Sequence, residues 1–185
     1  SKSVMIIIQG MEGSGKSIIC DLLGHMIGSG SIEIDDVKEN LFGRFNDNLS
    51  RKVFVNLNEI DRKEMSQYFE RIKSLITSPT INIEGKGQKK YTEQSLLHFI
   101  TTTQNDNVFK ITQESRRYCY FETNNELCGN TDYFNFLFNF IEKQSVQRAF
   151  YDYLMNRKVK QKITIKDIPI TMAMREQFIL NRDTI

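Results

Sequence analysis

The feature that most constrains the fold is a glycine-rich segment near the amino end, Gly10-Met11-Glu12-Gly13-Ser14-Gly15-Lys16-Ser17. It has the spacing G-x-x-x-x-G-K-S. It lies between an apolar, β-branched run, Val4–Gln9, and the stretch Ile18–Ile27, whose apolar residues have helical spacing. Glycines in such a strand–loop–helix segment allow backbone N–H groups to converge on phosphate oxygens, and the helix N-terminus adds partial positive charge. The segment therefore predicts a nucleoside triphosphate site formed by Gly10, Glu12, Gly13, Ser14, Gly15, Lys16 and Ser17.

Two side chains of this segment have predicted chemical roles. Lys16 can reach the β- and γ-phosphates, and the Ser17 hydroxyl can ligate Mg²⁺. A glycine-rich turn that binds nothing is the alternative interpretation, and the strand–loop–helix context argues against it. The segment alone does not separate kinases, motors and switches. A GTPase also needs N-K-x-D, and Asn58-Glu59-Ile60-Asp61 lacks the lysine.

Apolar strand-like runs alternate with helical patterns along the chain, which predicts an α/β fold with a parallel sheet and helices on both faces. The length of 185 residues suits one domain. We expect a nucleotide-binding core over residues 1–155 and a carboxyl-terminal extension over residues 156–185. The other predicted elements are strands Val53–Leu57, Leu96–Thr103 and Tyr118–Phe121, helices Asp61–Ile76 and Asp132–Phe150, a hairpin with a basic tip over Thr80–Tyr91, and an irregular tail around Pro169.

Composition excludes several classes of protein. Lys and Arg total 25 against 23 Asp and Glu, so the chain does not coat nucleic acid by bulk charge, although a local basic site stays open. No apolar run approaches the ~20 residues of a membrane span. The three cysteines and two histidines fit no disulfide or zinc pattern, which favours a reducing, intracellular compartment. The sequence opens on Ser1 rather than Met, and we expect flanking domains of a longer protein.

Polar residues follow two of the predicted strands. Glu59 lies just past Val53–Leu57, and ligand chemistry gathers at the carboxyl ends of strands in an open α/β sheet. Glu59 can orient or deprotonate an attacking water, and Glu59 or Asp61 can help to hold Mg²⁺. Asp61 is equally well explained as a helix N-cap. Asn105, after the strand Leu96–Thr103, offers an amide to the γ-phosphate or the water, although ordinary turn chemistry also explains it.

Two basic features stand apart from this region in the sequence. Arg116 and Arg117 precede the strand Tyr118–Phe121, and arginine suits bidentate contact with a transferring phosphoryl group, which a neighbouring subunit can supply. A double arginine is otherwise a solvated surface pair. The hairpin turn carries Lys86, Lys89 and Lys90, which can follow a phosphate backbone without reading sequence or can simply be solvated.

Together, these features resemble the superfamily 3 helicases of DNA viruses, phages and mobile elements, and in particular the helicase part of poxvirus-type and phage primase–helicases. The resemblance rests on four segments in their order and spacing: Gly10–Ser17, Asn56-Leu57-Asn58-Glu59, Phe99–Asn105 and Glu114-Ser115-Arg116-Arg117-Tyr118.

The resemblance implies an AAA+-like core that works as a ring, with a hexamer as the expected size, hydrolyses ATP with Mg²⁺ and translocates on single-stranded DNA. Glu59 would be the hydrolytic carboxylate and Asn105 the polar sensor. Arg116 or Arg117 would reach the next subunit's γ-phosphate, and the pore loop would contain Lys86, Lys89 and Lys90. A viral member would work with replication proteins or a linked primase domain, in the host cytoplasm or nucleus.

One residue departs from the pattern of P-loop motors. Many of them have Asp before the catalytic Glu, whereas this chain has Asn58. Either Glu59 and Asp61 divide the metal binding, or hydrolysis is weak. Two other classes therefore stay open: a nucleoside or nucleotide kinase, whose P-loops also carry an early Glu-Gly, and a non-catalytic module whose assembly is gated by nucleotide.

Overall fold

A computed structural model describes residues 4–60, 62–105, 108, 115, 117–158 and 167–181. Its strands are β1 (Met5–Gln9), β2 (Ser31–Ile34), β3 (Phe54–Leu57), β4 (Thr80–Ile83), β5 (Tyr91–Gln94), β6 (His98–Thr103) and β7 (Tyr118–Glu122). Its α-helices are α1 (Lys16–Ile27), α2 (Arg62–Thr77), α3 (Thr131–Ile141), α4 (Gln144–Asn156) and α5 (Met172–Leu180). None of these helices is long and apolar enough to cross a membrane.

Five strands form one sheet in the order β2-β3-β6-β1-β7, and every neighbouring pair is parallel. The central strand β1 pairs with β6 through Ile7 and Thr101, and with β7 through Ile7 and Tyr120. The prediction of an α/β fold with a parallel sheet flanked by helices is confirmed. Because the strands are parallel, all of their carboxyl ends lie at one edge of the sheet, where the loops after β1, β3 and β6 meet.

The two faces of the sheet are covered by different helices. On one face, residues such as Ile7, Leu57 and Tyr120 pack with α2 and α5 in the main core. On the other face, Phe54 and Ile100 pack with Cys20 of α1. The period of two along each strand accounts for this division, since successive side chains point to opposite faces.

The predicted hairpin is confirmed, with a longer loop than expected. Strands β4 and β5 form an antiparallel two-stranded sheet of their own, joined by residues 84–90. Contacts from the segment before β3 hold this hairpin: the Asn46 amide donates to the carbonyl of Asn82 at 2.9 Å, and the Ser50 hydroxyl donates to Glu93 at 3.0 Å.

The prediction of one helix over Asp132–Phe150 is wrong. Helix α3 ends at Ile141, and α4 begins at Gln144 after Lys143 adopts an extended conformation. The Gln147 side chain donates to the carbonyl of Ile141 at 2.9 Å and satisfies a helix end that no glycine or proline marks.

The prediction of an irregular tail is also wrong for its last part. Helix α5 begins at Met172, with the Thr171 hydroxyl accepting from the backbone N–H of Met174 as an N-cap. Ala173, Met174 and Phe178 then pack into the main core, so part of the expected extension belongs to the same folded unit as the core.

Candidate nucleotide-binding site

The glycine-rich segment Gly10–Ser17, called the P-loop below for its sequence pattern, connects β1 to α1 at the carboxyl edge of the sheet, as the sequence predicts. Gly15 is the N-cap of α1 and has a left-handed backbone, with φ at 82°. A Cβ at Gly10 would lie 1.8 Å from the Thr123 hydroxyl, so only glycine fits there. The loop is therefore a tight backbone cradle at a helix N-terminus, the geometry that suits a phosphate group.

Lys16 lies inside this cradle. Its side chain is 8% exposed, and its ammonium donates to the carbonyl of Met11 at 2.8 Å. Burial lowers the pKa of Lys16, while the negative charges of Glu59 and Glu12 act in the opposite direction. Ser17 follows in the first turn of α1, with an exposed side chain. A buried ammonium facing a concave loop is well placed to bind phosphate oxygens.

Glu59 follows β3 by two residues and lies close enough to Lys16 to act on its charge. Its backbone has φ at 48°, in the left-handed region that costs a non-glycine residue energy. Its carboxylate accepts a hydrogen bond from the amide of Gln104 at 3.1 Å. Strand β6 lies between β1 and β3, so the strands that lead into the P-loop and into Glu59 are ~10 Å apart, two strand spacings.

The structure assigns the contact with Glu59 to Gln104, which the sequence analysis did not single out. The predicted residue Asn105 has an exposed side chain, and its backbone N–H donates to the Thr103 hydroxyl at 3.2 Å. Both amides follow β6 directly, and strand periodicity no longer fixes side-chain direction past the end of a strand. A role for Asn105 stays a prediction.

Asn58 is held by two carboxylates from β2 and the residue after it, which the sequence analysis did not predict. Its side-chain nitrogen donates to Glu33 at 3.1 Å and to Asp35 at 3.2 Å. These bonds use both N–H groups of the amide, so the amide oxygen is directed away from the two carboxylates. The predicted metal ligand Asp61 lies outside the described residues.

Of the predicted basic residues, Arg117 lies away from the glycine-rich loop. The Arg117 carbonyl accepts from the N–H of Met5, which places Arg117 at the amino end of β7. The P-loop follows the other end of β1, five residues away, or about 16 Å along a strand. Arg116 lies outside the described residues. Lys86, Lys89 and Lys90 are all exposed in the loop between β4 and β5.

The segment after β7 covers the other side of the P-loop and was missed by the sequence analysis. The Thr123 hydroxyl donates to the Ser14 hydroxyl at 2.8 Å, and the Cys128 thiol donates to the carbonyl of Glu12 at 2.9 Å. No local sequence pattern indicates these contacts, since the partners in each are more than a hundred residues apart in the chain.

The family described as "Family of unknown function (DUF5906)" matches residues 8–118, more than half of the chain. The chain belongs to the DUF5906 family. The matched residues include the P-loop, Asn58, Glu59 and Gln104, so the family covers every part of the site except the segment after β7.

One curated relative of this DUF5906 chain is the DNA primase-polymerase of Nitratiruptor phage NrS-1. It is 33% identical over 129 residues, which cover 65% of this chain and 17% of the relative. The DUF5906 chain therefore spans less than a fifth of the length of that protein.

Solved structures show the same fold. An apo structure of the NrS-1 C-terminal region has a TM-score of 0.77 at 25% identity and covers 96% of the DUF5906 chain and 42% of that chain. A second apo structure of the same region has a TM-score of 0.75 at 25% identity, and the match covers 97% of this chain and 43% of that one. A JCV helicase structure has a TM-score of 0.55 at 15% identity, and the match covers all of this chain and 52% of the helicase chain. At this identity the similarity shows the fold alone.

Proposed function

We propose that this chain is the ATP-hydrolysing motor domain of a viral or phage replication helicase, of the superfamily 3 type found in poxvirus-type primase–helicases. The observation that carries the proposal is the placement of the P-loop after β1 and of Glu59 after β3, on either side of β6 at the carboxyl edge of the sheet, where the charge of Glu59 favours the charged form of Lys16. A phosphate held by Lys16 and the backbone cradle would present its terminal phosphorus toward Glu59. Glu59 would then accept a proton from, or orient, the attacking water.

The residues present fit a magnesium ion. Ser17 exposes its hydroxyl at the start of α1, and the Asn58 amide oxygen is directed away from the carboxylates that hold its nitrogen. Ser17 would ligate Mg²⁺ directly, with Glu59 and Asp61 as the carboxylates that the sequence predicts for it. Mg²⁺ would neutralise charge on the β- and γ-phosphates. Gln104 would hold the Glu59 carboxylate in position through its hydrogen bond.

Similarity to a phage DNA primase-polymerase and to a viral helicase supports a role on DNA. In this proposal the exposed lysines Lys86, Lys89 and Lys90 contact single-stranded DNA in the pore of a homo-oligomeric ring, with a hexamer as the expected size. Replication proteins or a linked primase domain would be its other partners. Arg117 lies at the amino end of β7, about 16 Å along the strand direction from the end of β1 that leads into the P-loop, so in this proposal it contacts the site of a neighbouring subunit.

The first test is steady-state ATPase activity across protein concentration, with and without single-stranded DNA. We expect the activity per subunit to rise with both. Glu59→Gln should retain ATP binding and lose turnover, whereas the matched control Glu39→Gln, which changes an exposed carboxylate 3.6 Å from the Lys38 ammonium, should retain both. Turnover that depends on neither variable contradicts the ring. Tight binding without any turnover in the presence of DNA selects a non-catalytic assembly module.

A subunit-mixing experiment tests the arginine in trans. Lys16→Ala and Arg117→Ala subunits should each be inactive alone. Mixed rings should regain activity, because an intact P-loop of one variant then faces an intact arginine of the other. Inactive mixtures, with mixed assembly shown by sedimentation, would remove Arg117 from this role and direct the same test to Arg116.

A further inference from the structure

A cleft of about 460 Å³ opens beside the P-loop, between helices α1 and α3. Ile18, Ile19 and Leu22 of α1 form one wall, and Leu127, Tyr133 and Phe134 form the other. Ser14 and Gly15 of the P-loop form its inner end, so the cleft is continuous with the phosphate cradle. Its volume lies in the range of small-molecule sites.

The order of the strands fixes the direction in which a bound nucleotide extends. Glu59 and Gln104 follow β3 and β6, which lie on one side of β1. The cleft lies on the other side, where β7 and the segment after it flank β1. A triphosphate whose terminal phosphate faces Glu59 must therefore extend its nucleoside toward the cleft.

The wall formed by the segment after β7 is fastened to the P-loop. Thr123 and Cys128 make the hydrogen bonds described above, and the Phe134 ring lies 2.5 Å from the position of a Cβ on Gly15. Tyr133 packs edge-on against Phe134, with ring centroids 5.2 Å apart. These contacts fix this wall of the cleft to the P-loop.

The cleft also exposes apolar side chains beside this polar loop. Leu127 and Tyr133 are each 41% exposed, and Ile19 is 37% exposed. Binding of a flat apolar ligand over these side chains would be favourable, because it would remove their apolar surface from water. An aromatic ring at the rim offers a stacking surface that every nucleobase can use.

We propose that the cleft between α1 and α3 holds the nucleobase of the bound triphosphate by stacking and apolar contact, with little discrimination among bases. This inference rests on the proposed function. The low discrimination follows from the lining of the cleft, which is mostly aliphatic and aromatic, while some of its polar atoms make hydrogen bonds within the protein. Ser14 and Thr123 share a hydrogen bond, and the Asn124 side chain accepts from the N–H of Glu126 at 2.7 Å. Reading the edge of a base requires donors and acceptors directed at it.

The test is direct binding, by calorimetry with Mg²⁺, of ATP, GTP, CTP, UTP and inorganic tripolyphosphate to the full chain. The four nucleotides should bind within about tenfold of each other. Tyr133→Ala should weaken all four by roughly fivefold or more, the low end of one lost stacking contact, and should leave tripolyphosphate binding unchanged. Tyr153→Ala is the matched control, because this tyrosine is 59% exposed on α4 and does not line the cleft.

Each outcome separates this inference from the proposed function. Wild-type protein that binds neither ATP nor tripolyphosphate refutes both. If the wild type binds both ATP and tripolyphosphate, two results refute the nucleobase site alone. In the first, Tyr133→Ala leaves the affinity for ATP unchanged. In the second, Tyr133→Ala weakens the binding of ATP and of tripolyphosphate equally. A spread greater than tenfold among the four bases refutes the low discrimination. A change in sedimentation on Tyr133→Ala without a change in ATP binding assigns the cleft to a neighbouring subunit instead.

Discussion

The replacement Asn58→Asp tests why this chain has an amide where many P-loop motors have a carboxylate. In the structure the Asn58 amide donates to Glu33 at 3.1 Å and to Asp35 at 3.2 Å. Aspartate at this position would keep the size of the side chain and remove both donors. It would also bring a third carboxylate within hydrogen-bonding distance of two others.

The magnitude follows from these distances. Two unit charges 4 Å apart repel by about 1 kcal/mol in water and about 4 kcal/mol at an effective dielectric constant of 20. Asn58 is half-buried, and both of its partners are exposed, so each of the two repulsions should lie near the lower value. The lost hydrogen bonds to charged groups add roughly 0.5–1 kcal/mol each after allowance for solvent. The free energy of unfolding should therefore fall by about 3–4 kcal/mol at pH 7.

Urea unfolding at pH 7 and near pH 4 measures this effect. Asn58→Ala is the control, because it removes the hydrogen bonds without adding charge and should cost only about 1–2 kcal/mol. The difference between the two variants should shrink as the pH falls, since carboxyl groups take up protons near pH 4 and the repulsion then disappears. An Asn58→Asp variant as stable as the wild type at pH 7, or one no less stable than Asn58→Ala, would refute the reasoning.

Three further predictions follow from the contacts around the loop and the hairpin. Gly10→Ala should lower the free energy of unfolding by about 1–3 kcal/mol and weaken ATP binding, because its Cβ would overlap the Thr123 hydroxyl; urea unfolding and calorimetry check this. Burial raises the pKa of Cys20 to about 12, whereas Cys128 is half-exposed, so iodoacetamide at pH 8 should label Cys128 first. Mass spectrometry of the native and the urea-unfolded protein measures the labelling, and equal rates for the two cysteines in the native protein would contradict the burial of Cys20. The binding constant for single-stranded DNA should fall less steeply with salt concentration when Lys86, Lys89 and Lys90 are all replaced by Ala. On logarithmic axes the magnitude of the slope should decrease by about 2, while the control Lys38→Ala should leave the slope unchanged.

The sequence predicts the first part of this site well because its signals are local. The apolar run before Gly10 and the helical spacing after Ser17 define strand, loop and helix without any tertiary information. Strand β2 was not predicted because it has only four residues. Its two apolar residues, Ile32 and Ile34, form a pattern too short to indicate a strand. Its absence from the prediction also hid the two carboxylates that hold Asn58.

Other parts of the structure depend on contacts between distant residues. The Gln147 side chain caps the end of α3, and no helix-breaking residue lies there, so the periodicity of residues 132–150 continues across the break. The choice between Gln104 and Asn105 depends on side-chain directions past the end of β6. The wall of the cleft depends on Thr123 and Cys128 meeting the P-loop across the fold. None of these has a signature within a short window of sequence.

The backbone of Glu59 has a consequence for how stability and chemistry compete in this protein. The left-handed backbone of Glu59, with φ at 48°, costs about 1 kcal/mol of conformational energy that a glycine at the same position would not incur. Glu59→Gly should therefore leave the fold about as stable as the wild type, or slightly more so, while it removes the carboxylate. Glu59 therefore contributes little to the stability of this turn, and its replacement separates the cost of the backbone conformation from any effect of the carboxylate on the charge of Lys16.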